Sequence, residues 1–274
     1  MASSSQRLAD PAQIGFAKAS SYDKYRPAYT DEEADQLLTA LQLTGRQGAK
    51  VLDLAAGMGK FTEVLAARPE GFETLAVEPH DDMRAELEKK ALRGVQVRKG
   101  WASSIPLESK SVDAVVVAQA FHWFANHDAL KEIHRILKPR GRLGLIWHIE
   151  DYNAPASAQP TTKWESQLKD IVFDFEDNHP RFRHDVWRAV FDEEDQRLFS
   201  KPLTESLLLT VFLPKTTLWD RFCTLSQFAL LQGIELQNVK DRFDAALQGE
   251  DVEVNEAGEV ALHGKTYLAW TEAQ

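Results

Sequence analysis

Apolar residues along this chain cluster in short runs, and between the runs they recur at helical spacing. Val51-Leu52-Asp53-Leu54 is one such run, and Thr74-Leu75-Ala76-Val77 is a second. Gly94 to Lys99 reads as a third strand and Val112 to Val117 as a fourth. The fourth is almost continuously apolar, as a strand buried on both faces should be. Arg142 to His148 reads as a fifth. Helical spacing occupies the gaps: Phe61 to about Ala67, about Asp82 to Leu92, and His127 to Leu137, where Lys138-Pro139-Arg140-Gly141 ends it. Thr30 with Glu33 forms a capping-box pattern ahead of Ala34, Leu37, Leu38 and Leu41. Strand and helix therefore alternate five times. This pattern predicts a parallel sheet covered on both faces, with ligands at the carboxyl ends of the strands.

The rhythm changes after Trp147. Residues 151–160 read as a Pro/Ala/Ser-rich loop, followed by amphipathic stretches at about 161–177 and 180–194. These carry Trp164, Phe173, Phe175, Phe182, Trp187 and Phe191, and read either as helical core or as a cap lining a substrate pocket, two roles that overlap because a cap uses aromatic residues both to pack and to enclose. Leu207 to Leu213 reads as a sixth strand, Trp219 to Leu231 and Leu236 to Leu247 as helices. Val260 to Leu262 and Tyr267 to Trp270 read as a final strand or hairpin. The expected division is 1–150 for an N-terminal arm and the cofactor-binding half, 151–200 for a cap insertion, and 201–274 for the elements completing sheet and pocket.

Charge and cysteine narrow the function. With 42 acidic against 32 basic residues the net charge is −10, which repels a phosphate backbone, so no nucleic acid partner is expected. The single cysteine, Cys223, excludes an intramolecular disulfide, and no zinc-type cluster is present, so no metal site is expected. No apolar stretch approaches a membrane span and the first ten residues carry no secretory h-region. A cytoplasmic protein, monomer or homodimer, is the expectation.

The sharpest chemistry lies at Asp53-Leu54-Ala55-Ala56-Gly57-Met58-Gly59, a glycine turn directly after a strand. Glu78 ends the second strand 21 residues after Gly57, where a carboxylate can grip both hydroxyls of a ribose. A nicotinamide dinucleotide competes for such a loop, but the pattern lacks Gly-x-Gly-x-x-Gly. Asp53 would also repel a pyrophosphate and tolerate a cationic amino acid.

Together these residues resemble the class I S-adenosylmethionine-dependent methyltransferases. Residues 51–60 look like the first motif of that family, and Val77-Glu78-Pro79 with Met83 like the second. Gln119-Ala120-Phe121-His122-Trp123-Phe124 resembles the post-strand motif of the small-molecule branch that includes trans-aconitate methyltransferase, as does the segment Tyr22 to Tyr29. Residues 132–143 match the helix–turn–strand signature. Ala55 stands where the family usually has glycine, and Lys60 where a small residue is more common.

The resemblance implies an α/β fold: a Rossmann-like, seven-stranded, mostly parallel sheet with helices on both faces and a helical cap. It implies S-adenosylmethionine as cofactor and a small-molecule methyl acceptor, such as an organic acid or a secondary metabolite, including a gliotoxin-type dithiol. By position, Ala55, Gly57 and Gly59 would meet the methionine portion, Glu78 the ribose, and Met83, Trp101 and Ala102 the adenine. Gln119 would sit by the methionine end, with Tyr25 and Arg26 closing the site. His122 is the candidate general base and His148 a second; Trp123, Phe121 and Trp147 are candidate walls around the sulfonium. Packing roles compete for each. Two other readings are a nicotinamide-dependent oxidoreductase and a non-catalytic scaffold of the same fold.

Overall fold

The computed structural model describes residues 28–175, 179–192, 197–229 and 231–274. Its frame is a seven-stranded sheet of order β3-β2-β1-β4-β5-β7-β6. The strands are β1 (Lys50–Leu54), β2 (Glu73–Val77), β3 (Val95–Arg98), β4 (Val112–Ala118), β5 (Leu137–Glu150), β6 (Leu203–Leu213) and β7 (Val260–Glu272). The first five run parallel, and β7 lies antiparallel between β5 and β6. This is the Rossmann-like architecture expected. The central strand β4 is buried through its first six residues, which explains its unbroken apolar run.

Seven α-helices surround this sheet among the described residues: α1 (Asp31–Ala40), α2 (Lys60–Ala67), α3 (Asp81–Lys89), α4 (His127–Ile136), α5 (Lys163–Asp174), α6 (Lys215–Phe222) and α7 (Gly233–Ala246). The capping box at Thr30 forms as its sequence predicts: Glu33 N–H donates to Thr30 Oγ1, and Glu33 Oε2 accepts from Thr30 N–H at 2.7 Å. The Glu33 Oε1 atom crosses to the sheet, lying 2.9 Å from His148 Nε2 and accepting from Thr266 Oγ1. One acidic side chain thus caps its own helix and fastens that helix to β5 and β7.

Three apolar clusters divide the interior. Leu37, Leu38, Val51, Phe61, Ile146 and Leu268 pack α1 and α2 onto one face of the sheet. Phe121, Trp147, Phe182, Trp187 and Phe191 pack on the other. A third joins α5, α6 and α7 around Trp164, Phe222, Phe228 and Phe243.

The two stretches expected to form the cap pack in different clusters. The first is α5, in the third cluster. The second, expected as a helix over 180–194, forms two 3-10 turns, Phe182–His184 and Val186–Phe191, against Trp147. Asp185, between them, adopts a left-handed backbone with φ of 55°, which breaks helical propagation. Two more boundaries differ. The helix expected from Trp219 starts at Lys215 behind Pro214 and ends at Phe222. The two final apolar runs are halves of one 13-residue strand, β7.

Candidate active site

β1 delivers the chain into a loop whose backbone is left-handed at three alternate positions: Ala55 (φ 59°), Gly57 (φ 57°) and Gly59 (φ 87°). Side chains resist this conformation, so glycine suits it and Ala55 is mildly strained. Gly59 also has no room for a side chain, since a Cβ there would collide with Leu87 Cδ1 on α3. At Gly57 the space is open instead; a Cβ would meet only Met83 Sδ, at 4.0 Å. The loop therefore leaves an accessible cradle over Gly57, roofed on one side by a thioether.

Glu78 at the end of β2 is locked to this cradle. Its Oε2 accepts from Gly57 N–H and its Oε1 from His80 N–H, both at 2.8 Å. Burial raises its pKa, partly offset by these two backbone bonds. Met83, buried in the first turn of α3, donates its N–H to His80 Nδ1 at 3.5 Å. Trp101 and Ala102 lie half-buried in the loop after β3, where Trp101 and Ser104 exchange backbone hydrogen bonds.

Asp53 sits behind the cradle, 1 % exposed. Thr62 Oγ1 donates to its Oδ2 at 2.6 Å, while Oδ1 has no hydrogen-bond partner among the described residues. Burial, with the charge of Glu78 added, pushes Asp53 up to about 7. A buried carboxylate oxygen without a donor is costly, and a cation seated in the loop would offset that cost.

Gln119 directly follows β4 in a left-handed conformation, φ 62°. Its N–H donates to the Ile146 carbonyl at 2.8 Å and its Nε2 to the His148 carbonyl at 3.2 Å. This kink turns the chain into the 3-10 turn Phe121–Trp123. Phe121 is core, stacked on Phe191 with ring centroids 5.7 Å apart.

His122 is half-buried and its Nδ1 accepts from Trp147 Nε1–H at 3.2 Å. Burial, reinforced by the charges of Arg181, Arg183 and His184, pushes it down to about 3. The imidazole is thus neutral across the physiological range. Because Nδ1 accepts, its proton resides on Nε2. Trp147 is fully buried, with ring centroids 5.0 Å from Phe182 and 4.9 Å from Trp187. Trp123 is half-buried beneath the Arg181 guanidinium, which lies 4.6 Å from its ring.

His148, the second candidate base, does not join this group. Adjacent strand residues point to opposite faces. Trp147 faces the cap turns, whereas His148 faces α1, held by Glu33 with the Tyr29 ring at 4.5 Å. Tyr25 and Arg26 lie outside the described residues. Among the described residues no three His, Cys, Asp or Glu side chains are grouped to hold a metal ion, and no helix is long and apolar enough to cross a membrane.

Several participants escape a sequence reading. Thr62 donates to Asp53 Oδ2 from the first turn of α2. Arg181 and Arg183 are buried near His122, although arginine in an amphipathic stretch normally reads as a solvent face. Their signal was the Arg-x-Arg spacing beside Phe182.

Residues 52–145 match the sequence model of a family described as "Methyltransferase domain". An uncharacterized methyltransferase-like protein of Schizosaccharomyces pombe is 38 % identical over 175 residues, covering 62 % of each chain. An uncharacterized methyltransferase of Mycobacterium tuberculosis is 42 % identical over 139 residues, covering 50 % of this chain and 54 % of that one. The chain thus aligns with only about half to three fifths of the length of these relatives. In structure it is similar to a candidate type II methyltransferase of Anaeromyxobacter dehalogenans. The TM-score is 0.61 at 18 % identity, with 91 % of this chain and 97 % of that one covered. At that identity the likeness speaks for the fold alone.

Proposed function

We propose that this protein is an S-adenosylmethionine-dependent methyltransferase acting on a small molecule whose nucleophilic atom is already ionised. The observation that carries the cofactor half is the paired acids at the cradle: Glu78 locked against Gly57, and Asp53 with a buried oxygen lacking a donor. Glu78 suits ribose hydroxyls, which donate hydrogen bonds. Asp53 suits the ammonium and sulfonium charges of the methionine portion. Two neighbouring acids do not suit a pyrophosphate, which speaks against a nicotinamide dinucleotide.

In this reading Ala55, Gly57 and Gly59 hold the methionine portion by backbone approach, and Met83, Trp101 and Ala102 enclose the adenine. Gln119 helps by pinning the ends of β4 and β5 beside the methionine end. Bound there, S-adenosylmethionine supplies a methyl group already activated on a sulfonium, so the chain's task is alignment and exclusion of water.

His122 supports the second half of the proposal. An imidazole at about 3, with Nδ1 occupied by Trp147, is a poor proton acceptor at neutral pH. We assign it a positioning part: it offers an Nε2–H donor and fixes the turn that carries Trp123. An acceptor that needs no base, a carboxylate or a thiolate, matches such a site. Nearby positive charge from Arg181 and Arg183 favours the same class. Calorimetry with S-adenosylmethionine and with a nicotinamide dinucleotide tests the cofactor. Incubation with S-adenosylmethionine and a metabolite extract, read by mass spectrometry for a gain of one methyl, tests the reaction. Binding of the dinucleotide alone would overturn the proposal.

A further inference from the structure

We propose that β6 is a self-pairing edge, through which two copies of this chain join by antiparallel β6–β6 contact about a two-fold axis at Leu208. The sheet has two edges, and they differ in kind. β3 is four residues long, ends in Arg98 and is followed by Lys99, the short and charged edge that resists pairing. β6 spans eleven residues, pairs with β7 along its whole length without a register shift, and carries one charged residue, Glu205. Its exposed face holds Thr204, Ser206, Leu208, Thr210 and Phe212, with Leu208 86 % exposed. Among the described residues no strand pairs with its outer side, and a strand of this length and composition invites a further one.

The sequence of β6 itself names the occupant. Leu208 is its midpoint. An antiparallel copy centred there sets Leu208 against Leu208, Leu207 against Leu209, Ser206 against Thr210 and Leu203 against Leu213, so like meets like at these pairs. Thr204 meets Phe212. Glu205 meets Val211, so the one acid of each strand avoids its counterpart. Pro202 and Pro214 close the ladder symmetrically at both ends. Lys201 and Lys215 fall beyond those prolines, and Lys201 is held by Asp192 at 3.4 Å. On the exposed face, Lys265 of β7 registers with Leu208, and its methylene stem can lie over the joined leucines. Each copy carries a net charge of −10. A contact between two such chains must use a stretch nearly free of acid, and β6 is one.

Sedimentation at micromolar concentration should give twice the 30.9 kDa mass of one chain, more completely as salt rises and screens the repulsion. Leu208→Lys places two ammonium groups on the axis and should return the mass to one chain. Its circular dichroism spectrum and S-adenosylmethionine binding should be unchanged, because Leu208 is exposed and remote from the cradle. In a Cys223→Ala background, oxidised Leu208→Cys should cross-link to a covalent dimer well ahead of Ser206→Cys. A wild-type monomer at every concentration and salt would overturn the proposal. So would a dimer indifferent to Leu208→Lys, or equal cross-linking at positions 206 and 208.

Discussion

His122 Nδ1 accepts the indole N–H of Trp147 across 3.2 Å, between two elements 25 residues apart. The bond joins the turn after β4 to the carboxyl-terminal part of β5 and fixes the imidazole tautomer. With burial holding His122 near 3, kcat measured at saturating cofactor should show no inflection from this residue between pH 5 and 9. His122→Ala should lower stability by about 1–3 kcal/mol, through the unsatisfied indole donor it leaves, without reshaping that profile. A rate limb near neutral pH that vanished in His122→Ala would restore a base role. Arg183→Met should raise the histidine's pKa, visible as an upward shift of its titration by NMR.

Asp53 makes the opposite kind of prediction. Its folded pKa, about 7, exceeds the ordinary value of 3.8. Between these values the folded state binds the extra proton, so this residue's contribution to stability falls as pH rises from about 4 to about 7. Asp53→Asn should therefore be more stable than wild type at pH 8, by on the order of 2–4 kcal/mol, with a smaller gap at pH 5. The same substitution should weaken S-adenosylmethionine binding by about tenfold to a hundredfold. Thermal melts at the two pH values and calorimetry check the pair of effects.

Glu78 tests the cradle directly. Glu78→Ala removes the acceptor for both Gly57 and His80 N–H groups and the group assigned to the ribose. Cofactor affinity should fall at least about a hundredfold, whereas the sheet should remain folded. Unchanged binding would remove Glu78 from the cofactor site.

Glu33 predicts acid sensitivity. Burial alone would raise its pKa, but His148, Thr266 and the Thr30 backbone together lower it from 4.5 to about 2. A depressed carboxylate contributes stability that is full above about 4.5 and lost as pH falls towards 2. Glu33→Gln should cost about 2–3 kcal/mol at pH 7, and the difference should close by pH 2. An unfolding series across that range is the measurement.

Much of this architecture is local and therefore legible from sequence. The capping box at Thr30, the glycine turn after β1 and the apolar run of β4 each report on their own neighbourhood. What was not legible depends on distance. Glu33 finds Thr266 across 233 residues, and no window along the chain contains both. Residues 180–194 carry helical spacing, but Asp185 adopts a left-handed backbone that spacing does not encode. Burial of Arg181 and Arg183 is set by the turns around them rather than by residue type. For His148 the strand alternation itself held the answer: once Trp147 faces the cap, its neighbour must face α1.

The order β5-β7-β6 has a consequence for synthesis. β6 is made before β7, yet it touches the rest of the sheet only through β7. On the ribosome, β1 to β5 can assemble as each strand emerges, while β6 waits with its leucines uncovered. Only when β7 has cleared the exit tunnel can it slide between them and seat both at once. Some 46 residues separate the two strands, from Leu213 to Val260, and β6 stays without its partner for that stretch of synthesis.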